Sequence, residues 1–231
     1  MKHPLLTNSE LEWSDVAANC RMNREREITG TNSYTTDLKM NPLDFLMARA
    51  RTHSNVRWLD LCCGSGRALI QADEYFRTQH QSIQIQGIDL VDLFQPVENS
   101  TSTLQLETAS LHDWTTSMKY DLITCVHGLH YVGDKLKLIA DAARWLKADG
   151  TFIAHLDLDN LQSSTSNWSS REKREFLQRY HLDFNLRRRT LTCRGHQSID
   201  FPCRYLGASD QAGPNFTGQP AVNSVYEFLD T

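Results

Sequence analysis

The chain has no apolar run of about eighteen residues, the length a membrane-spanning helix needs. Its start, Met1-Lys2-His3-Pro4-Leu5, lacks the charged-then-apolar layout of a secretory leader. A cytoplasmic protein with no membrane partner is therefore expected. Positive charge is not in excess either: 24 Lys and Arg stand against 28 Asp and Glu, a formal net charge of −4. This gives no broad electrostatic footprint for nucleic acid. The six cysteines, at positions 20, 62, 63, 125, 193 and 203, match neither paired zinc-ligand spacings nor a disulfide framework. No metal site is expected. Internal repeats and low-complexity tracts are absent, and 231 residues can bury one full core without division. The expectation is one domain over 1–231, with a helical extension or lid over 1–52 and an α/β core over 53–231. Oligomeric state is not legible.

The most informative stretch is Val56 to Ala68, VRWLDLCCGSGRA. Trp58, Leu59 and Leu61 make a buried strand, Asp60 sits near its carboxyl end, and Gly64-Ser65-Gly66 follow. Glycines so placed let the backbone pass close to a bound molecule and open a helix whose free N–H groups face it. In an open α/β sheet, ligands bind in the crevice beyond the carboxyl ends of the strands. A nucleotide-like cofactor is implied. A dinucleotide loop of the G-x-G-x-x-G kind needs a third Gly or Ala near position 69, which is Leu69 here. That counts against a NAD-dependent oxidoreductase.

Ile83, Ile85 and Ile88 alternate with Gln84 and Gln86 as a second strand, which ends at Asp89. The spacing from the glycine turn suits a carboxylate that accepts hydrogen bonds from both ribose hydroxyls. Leu104 and Leu106 mark a third short strand. Tyr120 to Val126 is apolar enough for a strand buried on both faces, with His127 and Gly128 at its carboxyl end.

Asp60-Leu61-Cys62-Cys63-Gly64-Ser65-Gly66 resembles motif I of the class I S-adenosylmethionine-dependent methyltransferases, with Cys62 in place of the usual first glycine. Asp89 resembles the acidic residue of motif II, and Tyr120 to Tyr131 resembles motif IV of the small-molecule enzymes. The Asn19-to-Glu27 and Asn32-Ser33-Tyr34 elements look like an uncharacterised bacterial group of the same family. The resemblance implies a Rossmann-like, doubly wound, mostly parallel sheet with a C-terminal antiparallel pair. It also implies S-adenosylmethionine as methyl donor and S-adenosylhomocysteine as product. The cofactor residues so implied are Asp60, Cys62, Gly64, Ser65, Gly66, Asp89, Leu90, Ser110, Leu111 and Val126. Where the family carries an adenine-binding side chain this sequence has Ala109, so the backbone of Ser110 and Leu111, or Asp113, is expected to serve.

The acceptor is expected to be a small molecule, methylated on nitrogen or oxygen rather than carbon. Holding it in line and excluding water carries much of such a displacement, and a base is needed only for a protonated or weakly acidic acceptor. His127 is the first candidate base and His130 the second; Tyr34 is a third catalytic candidate. Arg24, Tyr34, His127 and Tyr205 are candidate acceptor contacts. A cofactor-binding module without catalysis stays open as an alternative.

Elsewhere, Ser9 and Glu12 predict a capping box for a helix that buries Trp13, Val16, Ala17 and Cys20 on one face. Asn23 to Lys39 suggests a loop or lid with little regular structure. Asn41-Pro42 opens a helix with Leu43, Leu46, Met47 and Ala50 inside. A later helix carries Leu136, Ile139, Ala140 and Ala143 to a stop near Asp149-Gly150, before a strand over Thr151 to Leu158. Ser169 and Glu172 predict a capped helix with Phe176, Leu177 and Tyr180. Phe184 to Cys193, Ser198 to Leu206 and Val222 to Leu229 read as strands, with Arg187-Arg188-Arg189 spread over both faces of the first.

Overall fold

The computed structural model describes residues 4–18, 25–97 and 102–229. Four strands form the parallel core: β1 (Arg57–Leu61), β2 (Gln84–Asp89), β3 (Leu104–Thr108) and β4 (Tyr120–Cys125). They continue into β5 (Leu146–His155), and a hairpin of β7 (Leu182–Asn185) and β8 (Thr190–Arg194) closes the sheet. The order is β3-β2-β1-β4-β5-β8-β7, parallel up to β5 and antiparallel from β5 to β8 to β7. This is the expected Rossmann-like arrangement, with the antiparallel pair supplied by the hairpin.

Alternation along the central strands divides the core between the two faces of the sheet. Trp58 and Leu122 point to one face, where α4 (Pro42–Ala50) lays Leu43 and Leu46 and α5 (Arg67–Thr78) lays Leu69, Ala72 and Phe76. Leu59, Leu61, Ile123 and Cys125 point to the other, which is covered by α6 (Lys135–Trp145) and α7 (Ser170–Arg179). Helix α4 starts as its sequence dictates, with Asn41 accepting from the Leu43 N–H and Pro42 in the first turn. The Ser169–Glu172 capping box of α7 is also present. Among the described residues no helix is long and apolar enough to cross a membrane.

Several local expectations are corrected. The first helix, α1 (Asn8–Glu12), is capped by Thr7 with Glu10 completing the box, not by Ser9 with Glu12. Trp13 follows it at 89% exposure, so it belongs to no buried face. A short α2 (Asp15–Ala18) comes next; Cys20 lies outside the described residues. The polar stretch before α4 has little regular structure over the described residues 25–33, as expected, but it ends in a helix: Ser33 caps α3 (Tyr34–Leu38), which buries Tyr34 and Leu38. Helix α6 stops at Trp145, and β5 runs straight through Asp149-Gly150. Arg187 to Arg189 sit in the β7–β8 turn, where Arg189 (φ 50°) pairs with Asp157 at 2.8 Å. The last two strand-like runs do not join the main sheet. With β6 (Leu161–Ser163), β9 (Cys203–Ser209) and β10 (Asn223–Phe228) form a second sheet in the order β6-β10-β9.

Candidate functional site

The turn after β1 needs three left-handed residues in five: Cys62 (φ 59°), Gly64 (φ 63°) and Gly66 (φ 73°). Gly66 caps α5 without any side-chain bond, and a Cβ there would meet the Leu106 side chain at 2.8 Å. The turn is held against the end of β2 by Asp89, which is almost fully buried. Its Oδ2 accepts the Gly64 N–H at 2.8 Å and its Oδ1 accepts the Val91 N–H at 3.1 Å.

Asp89 and Cys62 form the floor of the main cleft. Leu90, Val91, Ala109 and Leu111 make one apolar wall, and Tyr131, Val132 and Leu138 another. The third wall is α1, through Asn8, Leu11 and Glu12. Three contacts hold α1 there: a side-chain bond between Glu12 and Ser110, Asn8 Nδ2 to His112 Nδ1 at 2.6 Å, and the Tyr205 hydroxyl donating to Asn8 Oδ1 at 3.1 Å.

Of the residues expected at the cofactor, Cys62, Asp89, Leu90 and Leu111 line this cleft. Gly64, Ser65 and Gly66 shape the turn beside it. Ser110 is engaged through its hydroxyl with Glu12, and Val126 is packed in the core. Asp60 is not in the crevice. It is fully buried beneath the turn, where Tyr34 Oη donates to Oδ2 at 2.6 Å and the Thr124 hydroxyl donates to Oδ1. Burial pushes its pKa up to about 7, against the opposing effect of the two hydroxyls. Tyr34, expected at the acceptor, stands edge-on to Trp58 at 6.2 Å and serves this buried network. Asp113 is exposed and outside the cleft.

His127 and His130 lie where β4 ends, as expected. His127 has φ 61°, unusual for a residue with a side chain and a mark of positions held by their surroundings. Its ring stacks on His155, the last residue of β5, at 4.0 Å and 5°. Its Nε2 stands 3.7 Å from Asp37 Oδ2, and Arg26 pairs with the same carboxylate at 2.5 Å. Burial alone would raise the Asp37 pKa; His127 and Arg26 bring it below the ordinary value. His155, Asp37, Glu12 and Asn8 were not anticipated. His155 had a legible signal, since it ends a parallel strand next to the one that carries His127. Tyr205 is far from this group in role, being the anchor of α1. Arg24 lies outside the described residues. Among the described residues no group of His, Cys, Asp or Glu is arranged to hold a metal ion.

A family model described as a methyltransferase domain matches residues 33–189. The chain belongs to this methyltransferase family. The match sets aside the dehydrogenase alternative. The methyltransferase domain is 27% identical over 139 residues to the ubiquinone biosynthesis O-methyltransferase of Yersinia enterocolitica, across 56% of this chain and 53% of that protein. The chain thus spans about half the length of the curated relative it matches. Among solved structures it is similar to coclaurine N-methyltransferase bound to N-methylheliamine and SAH, at 14% identity and a TM-score of 0.41, covering 57% of this chain and 39% of that one. It is also similar to the plantazolicin methyltransferase BpumL in complex with a monoazolic desmethylPZN analogue and SAH, at 18% identity and a TM-score of 0.39, covering 48% and 44%. The matched span contains Asp60, Asp89, His127 and His155, but not α1 or the strands β9 and β10.

Proposed function

We propose that the chain transfers a methyl group from S-adenosylmethionine to a small-molecule acceptor, with the cofactor in the cleft over Asp89 and the acceptor beside His127. The observation that carries this reading is Asp89. Its carboxylate closes the glycine turn and lines the cleft at the carboxyl end of β2, where a nucleotide fold sets the acid that meets the ribose hydroxyls. Leu90, Val91 and Leu111 offer a flat apolar slot for the adenine. The methyltransferase family to which the chain belongs supports the same cofactor. Asp60, Tyr34 and Thr124 act from below as positioning residues that hold the end of β1 in place.

The bound cofactor supplies an electrophilic methyl carbon. The chain supplies the rest: walls that exclude water, an acceptor held in line, and an imidazole that takes up a proton where the acceptor has one to lose. His127 fits that last role, with Nε2 turned to Asp37 and Nδ1 left toward other partners. In this reading residues 1–231 work as one catalytic unit. Asp89→Ala should weaken S-adenosylhomocysteine binding by about 1.5–3 kcal/mol, the range for hydrogen bonds to a charged group. Calorimetry reads this directly, and unchanged affinity would remove Asp89 from the cofactor site.

A further inference from the structure

The carboxyl ends of β4 and β5 hold three imidazoles within one buried patch. His127, His130 and His155 are 5%, 0% and 3% exposed. His130 stands 5.8 Å from His127, which lies flat on His155. Among the described residues, Nδ1 of His127 and Nδ1 of His155 have no hydrogen-bond partner, and the ring nitrogens of His130 make no well-formed bond, Asn160 being the amide set against that ring. On the loop next to them Asn215 is also buried, and its Nδ2 is likewise unpartnered among the described residues. Folded proteins leave few buried polar atoms unmatched, because desolvating such a group costs more than a bond made elsewhere returns. Such a cluster points to a polar ligand.

We propose that His127, His130, His155 and Asn215 form the acceptor subsite, and that it takes an uncharged, flat molecule bearing a hydroxyl, a phenol in the simplest case. This rests on the reading of the adjoining cleft as the S-adenosylmethionine site. The two regions share a wall. Gly128 packs directly on Cys62 of the cofactor turn, and Tyr131, edge-on to His130 at 6.5 Å, lines the cleft itself.

The absence of ligand charge follows from the neighbours. Asp37 is paired with Arg26, and Asp157 with Arg189. The Lys135 ammonium is spent on the Val132 and Val222 carbonyls and the Ser224 hydroxyl. Among the described residues, no formal charge next to the patch is left for a carboxylate or an ammonium. Burial also pushes His130 well below its ordinary pKa and His155 to about 3, so both rings are neutral at pH 7. A neutral imidazole offers one donor and one acceptor, and Asn215 adds a donor. A hydroxyl, which both donates and accepts, matches that mixture.

Flatness follows from Phe216. Its ring lies 5.3 Å from His130, 6.0 Å from His127 and 6.4 Å from His155, and is 40% exposed. The loop that carries it is tied at its ends by Ala221 N–H to Gly213 O and Val222 N–H to His130 O. Phe216 is therefore the cover of the patch, and an aromatic ring beneath it meets π-faces rather than aliphatic edges. In the transfer the hydroxyl oxygen forms the new C–O bond with a lone pair, and the C–S bond breaks with its pair left on sulfur. The hydroxyl proton passes to the His127 imidazole and from there to solvent.

Three probes of one size test the charge: catechol, benzoate and benzylamine, titrated by calorimetry into protein saturated with S-adenosylhomocysteine. Catechol should bind at least tenfold more tightly than either charged probe. His130→Phe, which keeps a flat ring without nitrogens, should weaken catechol at least tenfold at unchanged S-adenosylhomocysteine affinity. If that variant does not fold, Asn215→Ala on the covering loop serves in its place. A charged probe that binds as well as catechol overturns the proposal, as does catechol binding that is absent or indifferent to both substitutions. Loss of S-adenosylhomocysteine binding by the unaltered protein would instead overturn the cofactor reading. Catechol is then titrated alone, and the same two outcomes decide the subsite.

Discussion

The Asp60 carboxyl, fully buried under the glycine turn, receives the hydroxyls of Tyr34 and Thr124. Its pKa moves from 3.8 to about 7, mainly by burial. The folded protein then holds a proton that the unfolded chain has already lost across that interval. Stability falls as pH rises through it, by at most about 1.4 kcal/mol per pH unit, and levels off above about 7 when both states are ionised. Asp60→Asn keeps the size and an accepting oxygen but cannot titrate. Urea unfolding from pH 4 to 8 should show the variant gaining on the unaltered protein up to about pH 7, with a constant gap beyond. A gap that never changes with pH would mean that the carboxyl is ionised in the fold. The residue's place in the motif was legible in the sequence; its burial away from the cleft was not, because nothing local announces the Tyr34 hydroxyl that covers it.

At the scale of elements, the stretch before α4 divides into two parts with different work. Residues 6–12 form a wall, tied by the Leu6–Ala208 bridge to β9 and by Glu12 to Ser110. Ile28, Tyr34 and Leu38 belong to the core with Trp58 and Leu46. Removing Met1 to Glu12 should therefore weaken S-adenosylhomocysteine binding about tenfold and leave the melting transition cooperative, since one wall of the cleft is lost and little core with it. Removing Met1 to Lys39 should unfold the protein. Each buried side chain of that size contributes about 1.5–3 kcal/mol, and three of them approach the whole stability of an ordinary domain. Circular dichroism on the two truncations decides between this and a simple detachable lid, for which both would stay folded. Strands β1, β2 and β4 were legible because continuous or alternating apolar residues mark them. Helix α3 was hidden by its length, five residues being too few to show a period. The start of β5 was hidden by Lys147-Ala148-Asp149-Gly150, where two charged residues and a glycine interrupt the apolar pattern.

The whole molecule is two sheets joined along one seam, and the second sheet was beyond what local pattern conveys. Strands β9 and β10 look like continuations of the main sheet in sequence, yet β10 pairs in parallel with β6, a three-residue strand. Lys135, the first residue of α6, fastens the seam: its Nζ donates to Val132 O and Val222 O at 2.8 Å and to Ser224 Oγ at 3.0 Å. The Tyr226 hydroxyl accepts the Leu136 N–H at 3.0 Å and donates to Asp134 at 3.1 Å. Through these bonds the end of β4, which carries the histidines, is coupled to the sheet that anchors α1. Burial brings the Lys135 pKa from 10.5 down to about 7. Between those values the folded state holds fewer protons than the unfolded chain, so stability gains from this group as pH rises. Lys135→Met has similar reach, no charge and no donor. It should be destabilised at every pH, because the Val132 and Val222 carbonyls lose their partner at about 1–3 kcal/mol each. The loss should widen from pH 7 to 9, by at most about 1.4 kcal/mol per unit. The buried cysteine and tyrosine groups titrate alike in both proteins and cancel in the difference. A gap that stays constant over that range would show the ammonium to be fully charged within the seam, held there by its three acceptors at no cost in proton affinity.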